Sequence, residues 1–231
     1  MNFIEIPMEQ WARKNHYEHY KNNVRCSFSV TVDIDVSDLL IWLKERGLKS
    51  YPAQIYIIST IVNQFPEFRM TTNEENHLGY WDTMHPMYTV LNPDTETFSA
   101  VWTNYDACFT KFYQAYLRDS KQYANGELFP QKNTPGNVFH ISSMPWLDFT
   151  SFHINVFSDG SYLLPIFTIG KYKKQDGKTL MPLAIQCHHA VCDGYHVGKF
   201  VEALQRMVEN FEQVGVHDSH MHKKLPRKPT I

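Results

Sequence analysis

Polar and apolar positions along this chain follow two periods. Ser27-Phe28-Ser29-Val30-Thr31-Val32-Asp33-Ile34 alternate strictly, and a period of two predicts a half-buried strand. Near the other end, Val197, Phe200, Val201, Leu204, Met207, Val208 and Phe211 recur at steps of three and four. That spacing predicts a helix whose single apolar stripe packs on a core. Between these two, the pattern predicts a helix from Ser37, acting as N-cap, to about Gly47, and another from Pro52 through Val62. Short strands follow over 87–90 and 98–102, then a helix over 108–123. The second half predicts strands over 138–141, 151–156, 161–171 and 179–188. Pro7 fits the first turn of an N-terminal helix running through Trp11 to about Tyr20.

Helices and strands interleave without a glycine-rich phosphate loop, which disfavours a nucleotide-binding doubly wound sheet. The pattern predicts a single α+β domain over 1–214, with a large mixed β-sheet and helices packed on it. Residues 215–231 carry Lys223, Lys224, Pro226, Arg227, Lys228 and Pro229 and read as a flexible, solvated tail.

Composition narrows the function classes. A chain of 231 residues is long enough for one domain with a substantial core. The net charge of −2, with acids and bases scattered, argues against a nucleic-acid partner. The longest apolar stretch, 55–62, is far too short to span a bilayer. No basic, apolar-cored start follows Met1, and four cysteines stand without a framework spacing. Both features lead us to expect a soluble protein in the reducing cytoplasm, with no membrane partner.

The candidate chemistry lies in Cys187-His188-His189-Ala190-Val191-Cys192-Asp193-Gly194-Tyr195-His196, which follows a buried apolar run. Histidine is the side chain whose charge changes near neutrality, so it can take a proton from an alcohol and return it. Strand alternation points His188 and His189 to opposite sides. Asp193 follows in a turn that brings it back under the strand end, to orient side chains or hold an arginine. Gly194 is expected to supply whatever backbone conformation that turn demands. Cys187, His188, His189, Cys192 and His196 are also potential metal ligands. The C-x4-C spacing and the isolated Cys26 and Cys108 do not match the paired ligands of a structural zinc site, so no metal is expected.

His189-Ala190-Val191-Cys192-Asp193-Gly194 resembles the HxxxDG signature of coenzyme-A-dependent acyltransferases. Four further blocks make the resemblance specific to the trimeric chloramphenicol acetyltransferases. They are Asn63-Gln64-Phe65, Glu96-Thr97-Phe98-Ser99-Ala100, Met144-Pro145-Trp146 with Phe149-Thr150-Ser151-Phe152, and the extension of the signature to His196. The match runs from about Trp11 to Phe211.

The resemblance implies an acetyl-CoA-dependent O-acetyltransferase that acetylates the primary hydroxyl of chloramphenicol and so confers resistance. It implies His189 as general base, Ser142 as the donor to the tetrahedral oxyanion, and Asp193 as a structural residue paired with Arg13. Thr168 would lie near the substrate. The acceptor pocket would be lined by Tyr20, Cys26, Phe28, Phe98, Phe129, Ile154 and Tyr162. It further implies a homotrimer with active sites at the subunit interfaces, acetyl-CoA as co-substrate and no permanently bound cofactor. The alternatives are a related acetyltransferase for another hydroxylated xenobiotic, a non-catalytic small-molecule binder, or a metal protein built on the Cys/His cluster.

Overall fold

The computed structural model of the protein describes residues 2–156 and 161–213; the tail expected over 215–231 lies outside them. The chain opens with strand β1 (Phe3–Glu5), a 3-10 turn (Met8–Gln10) and helix α1 (Lys14–Glu18), which widens into one π turn (His19–Asn23) before β2 (Ser27–Asp35). Helices α2 (Ser37–Glu45) and α3 (Ser50–Val62) and a 3-10 turn (Pro66–Phe68) lead to β3 (Met70–Thr72), β4 (Leu78–Trp81), β5 (His85–Asn92) and β6 (Thr97–Trp102). After α4 (Phe109–Tyr123) come β7 (Val138–Met144), β8 (Ile166–Gly170), β9 (Lys173–Gln175), β10 (Lys178–His188) and α5 (Gly194–Glu209).

The main sheet has the order β2-β10-β8-β7-β5-β6, with β9 paired to β10. It is mixed: β7 runs parallel to β5 and β8, and the other pairs are antiparallel. A small sheet, β1-β4-β3, stands apart. On one face of the main sheet, Phe139, Ile141, Phe167, Ile169, Leu183 and Ile185 are buried. Phe200 of α5 covers this face, stacking on Phe167 at 5.3 Å and on Phe68 at 4.6 Å between centroids. Aromatic rings bring large apolar areas and pair edge-on or offset, and a second cluster of them ties α2, α3, α4 and the segment just past α5 together through Trp42, Tyr56, Phe109 and Phe211. The opposite face carries a polar row, Thr31, Thr168 and Ser142, with Ser29 and Gln186 beside it.

Several elements differ from their sequence pattern for local reasons. The N-terminal helix is broken because Trp11 takes an extended conformation, and Pro7 caps the 3-10 turn from outside. Ser37 is the first residue of α2, not its N-cap; the Asp35 carboxylate accepts from both its N–H (3.1 Å) and its hydroxyl (2.6 Å). Helix α3 starts at Ser50, which leaves Pro52 in the first turn, where its missing N–H is harmless. The stretch 151–156 is no strand. Its amides turn to side chains of the polar face, Phe152 N–H to Thr31 Oγ1 (3.2 Å) and Ile154 N–H to Gln186 Oε1 (2.9 Å), instead of a backbone ladder. The strand expected over 161–171 shortens to β8, since Pro165 has no N–H to donate. Gly47 closes α2 at φ +63, with Leu48 N–H bonded back to Leu43 O. Among the described residues, no helix is long and apolar enough to cross a membrane.

Candidate active site

The ends of three elements meet around His189. Strand β10 stops at His188, and the chain folds under itself as the N–H groups of Val191 and Cys192 both reach His188 O at 3.1 Å. His189 N–H is bonded to Cys26 O at the start of β2 (2.8 Å). Its ring lies flat on Tyr20, 4.0 Å between centroids and 5° between planes, with the edge of Phe28 at 5.3 Å. Tyr20 comes from the π turn, whose wider i→i+5 bond, Val24 N–H to His19 O, sets the end of the helix apart from its α-helical start. Such turns recur at functional sites.

Asp193 caps α5 and ties the site to the N-terminal segment. Arg13 grips its carboxylate with both terminal nitrogens, one of them 3.1 Å from Oδ1, and extends to the carbonyls of His189 (3.2 Å) and Ala190 (3.4 Å). Burial would raise the Asp193 carboxyl; the hydrogen bond and charge of Arg13, with His189 and His196 nearby, outweigh it and hold the group below its usual range. Asp193 Oδ1 is 3.0 Å from His189 Nδ1. The oxygen stands off the N–H direction, so Nδ1 has a close charge contact but no directed hydrogen bond. A carboxylate there favours the proton on Nδ1 and leaves the Nε2 lone pair available. Gly194 takes no positive φ and simply begins α5; the turn did not need its freedom.

The motif's other histidines face separate partners. His188 is buried, its Nδ1 accepts the Ala190 N–H (3.2 Å), and burial, with Lys21 and His189 nearby, pushes it down to about 4. His196 Nδ1 accepts the Asp193 N–H at 3.0 Å.

Ser142 sits elsewhere. Its hydroxyl meets Thr168 Oγ1 at 2.9 Å across the parallel pair β7–β8. Ser142 also lines a cavity of about 850 Å³, walled by Tyr51, Phe98, Trp146, Ile169 and Tyr172 with Lys171 among the lining residues. Thr168 is opposite Ala184, so position 189 lies ~16 Å along β10 and Ser142 two strands (~10 Å) across, ~19 Å apart in all. Within one chain, then, Arg13, Tyr20, Cys26, Phe28, His189 and Asp193 form one group, and Ser142, Thr168 and Phe98 another. Ile154 adjoins Thr168 through a narrow gap, Tyr162 borders a small one with Cys187 and His188, and Phe129 is 61% exposed. The pattern of the sequence did not mark Tyr51 or Tyr172 as cavity walls, because each looks like an ordinary core aromatic.

The sequence model described as "Chloramphenicol acetyltransferase" matches residues 1–205. Chloramphenicol acetyltransferases of Clostridium butyricum, Clostridium perfringens and Bacillus pumilus are 47%, 48% and 49% identical over 92%, 92% and 89% of this chain, and 98%, 97% and 93% of their own lengths. A solved chloramphenicol acetyltransferase shares the fold with a TM-score of 0.80 at 22% identity, covering 90% of this chain and 100% of that one. A truncated catalytic core of the 2-oxoacid dehydrogenase complex from Thermoplasma acidophilum superposes at 0.64 with 15% identity, covering 91% and 99%. The HxxxDG turn, the mixed sheet behind it and this near-complete match place the chain in the chloramphenicol acetyltransferase family.

Proposed function

We propose that this protein transfers the acetyl group of acetyl-CoA to the primary hydroxyl of chloramphenicol. His189 Nε2 takes the hydroxyl proton as the oxygen attacks the thioester carbonyl. A general base at this step contributes roughly 10²- to 10⁴-fold. The attack yields a tetrahedral oxyanion, and Ser142 Oγ–H donates to it. With Thr168 Oγ1, 2.9 Å away, as donor to Ser142 Oγ, the serine hydrogen turns from the Phe167 carbonyl (3.4 Å) to the oxyanion. Collapse breaks the carbon–sulfur bond, and the CoA thiolate recovers the proton from His189. Asp193 and Arg13 hold the ring and its tautomer and do not exchange protons with it.

The observation that carries this reading is the His189 site itself: an imidazole stacked on Tyr20, with Nδ1 against a carboxylate and Nε2 turned away from it. The 850 Å³ cavity suits the acyl donor, because its walls are mostly apolar and an exposed lysine, Lys171, can meet a phosphate. The acceptor pocket would form from Tyr20, Cys26 and Phe28 facing Phe98, Phe129, Ile154 and Tyr162 of an adjacent copy. A base and an oxyanion donor ~19 Å apart cannot serve one carbonyl, so the working site pairs His189 of one copy with Ser142 of the next, in a closed ring of three. Acetyl-CoA is a co-substrate, no resident cofactor is required, and the proposed site of action is the cytoplasm, where acetyl-CoA is made and used.

Release of free CoA thiol from acetyl-CoA tests the reading. Release that depends on chloramphenicol and disappears in His189→Ala supports it. Release only with another alcohol would keep the transferase and change the acceptor, and binding of chloramphenicol with no release for any acceptor would favour a sequestering protein.

A further inference from the structure

The His189 turn is braced from behind by two residues that touch no reacting atom. His196, in the first turn of α5, faces Asp193 as the far side of a capping box, a place where glutamate or glutamine is usual. Its Nδ1 accepts the Asp193 backbone N–H at 3.0 Å, so that nitrogen carries no proton. Its Nε2 lies 3.7 Å from Glu67 Oε1, a charge that favours the proton there. The side chains of His196 and Glu67 are only 16% and 22% exposed. Glu67 is itself held rigidly. Its 3-10 turn is packed through Phe68 on Phe200 of α5, and Arg69 beside it donates to the carbonyls of Trp81 and Asp82, both at 2.8 Å.

We propose that Glu67 and His196 are positioning residues for acetyl transfer: Glu67 selects the Nε2–H tautomer of His196, whose Nδ1 fixes Asp193 and through it the ring of His189. The inference rests on His189 being the base. The chain of contacts is continuous. Glu67 faces His196 Nε2, His196 Nδ1 holds the Asp193 amide, and the Asp193 carboxylate meets both Arg13 and His189 Nδ1. A glutamine in place of His196 would offer an acceptor and a donor on a longer, more flexible stem, whereas the rigid imidazole fixes both contacts at once. The histidine therefore links α5 to the 3-10 turn as well as capping it.

Two measurements test this. The first uses the unaltered protein: imidazole ¹⁵N shifts should show His196 protonated on Nε2 and bare on Nδ1. A proton on Nδ1 overturns the proposal whatever the variants do. The second compares turnover. His196→Ala should lose roughly 10- to 100-fold in kcat, as small displacements of a catalytic group do, with KM for chloramphenicol and acetyl-CoA unchanged. His196→Asn, which returns an acceptor at the Nδ1 position, should recover most of that loss. Glu67→Gln should lower the Nε2–H preference and kcat together. Equal losses in His196→Ala and His196→Asn that follow thermal stability would reduce His196 to a helix cap. A wild-type kcat in His196→Ala alongside an inactive His189→Ala sinks this inference alone, whereas full activity in His189→Ala removes the mechanism on which it stands.

Discussion

The imidazole of His189 and the phenol ring of Tyr20 lie face to face, 4.0 Å apart and within 5° of parallel. The stack joins the turn after β10 to the π turn after α1, two segments far apart in the chain. With Phe28 on its edge, the ring has little room to rotate. Tyr20→Phe keeps the stack and should keep most of the turnover. Tyr20→Ala removes a ring–ring interaction of about 0.5–1.5 kcal/mol and should lower kcat roughly tenfold or more, read by the rate of CoA release.

Asp193→Asn and Arg13→Val cut the same link from either side. The pair is largely sheltered, with side-chain exposures of 31% and 16%. Removing one partner leaves the other charge poorly compensated, and hydrogen bonds to charged groups contribute about 1.5–3 kcal/mol. Both variants should melt earlier and lose turnover together. A variant inert in both respects would show that the pair does not support the site.

Ser142→Ala should fold normally, since its hydroxyl bonds only within the β7–β8 pair. Turnover should fall by about 10² to 10³, the usual cost of an oxyanion donor, with little change in KM. Retained turnover would remove Ser142 from the mechanism.

The proposed division of the site between copies has its own test. His189→Ala and Ser142→Ala are each expected to keep at most about a hundredth of the wild-type turnover. Unfolded together at equal amounts and refolded, they should recover about a quarter of the wild-type rate, because in a ring that fraction of interfaces joins an intact His189 to an intact Ser142. No recovery would mean that both residues must come from one chain.

His188 predicts the acid side of the stability profile. Its folded value is pushed down to about 4, from an ordinary value of 6.5, chiefly by burial and then by Lys21 and His189. Below about 6.5 the unfolded chain takes up a proton that the folded one refuses, so acidification favours unfolding. The contribution is complete above that pH and is lost progressively as pH falls toward 4. Melting temperatures from pH 8 to 4.5 should fall less steeply in His188→Asn, which keeps an acceptor for the Ala190 N–H and has nothing to titrate. Identical slopes would show that His188 is already protonated in the fold.

Much of this was legible in the chain. The alternation over 27–34 became β2, and the stripe from Val197 to Val208 became the buried face of α5. The residues from His189 to Gly194 announced a turn that brings a histidine and an aspartate together, because the spacing is local and needs no knowledge of the rest. Where sequence pattern failed, the partner was not local. Residues 151–156 look like a strand, but their amides are satisfied by Thr31 and Gln186, more than thirty positions away or more. Glu67 carried no signal at all, since only the packing of Phe68 on Phe200 brings it to His196.

The sequence by itself determined elements such as β2 and α5 and the residue types of the HxxxDG turn, because period and spacing are properties of neighbouring residues. Only the tertiary structure decided which residues share a site. It stacked Tyr20 on His189, closed Arg13 on Asp193, and set Ser142 two strands and half a strand length away from His189. Those distances follow from sheet order and register, which depend on pairings between segments that the chain's local pattern does not encode.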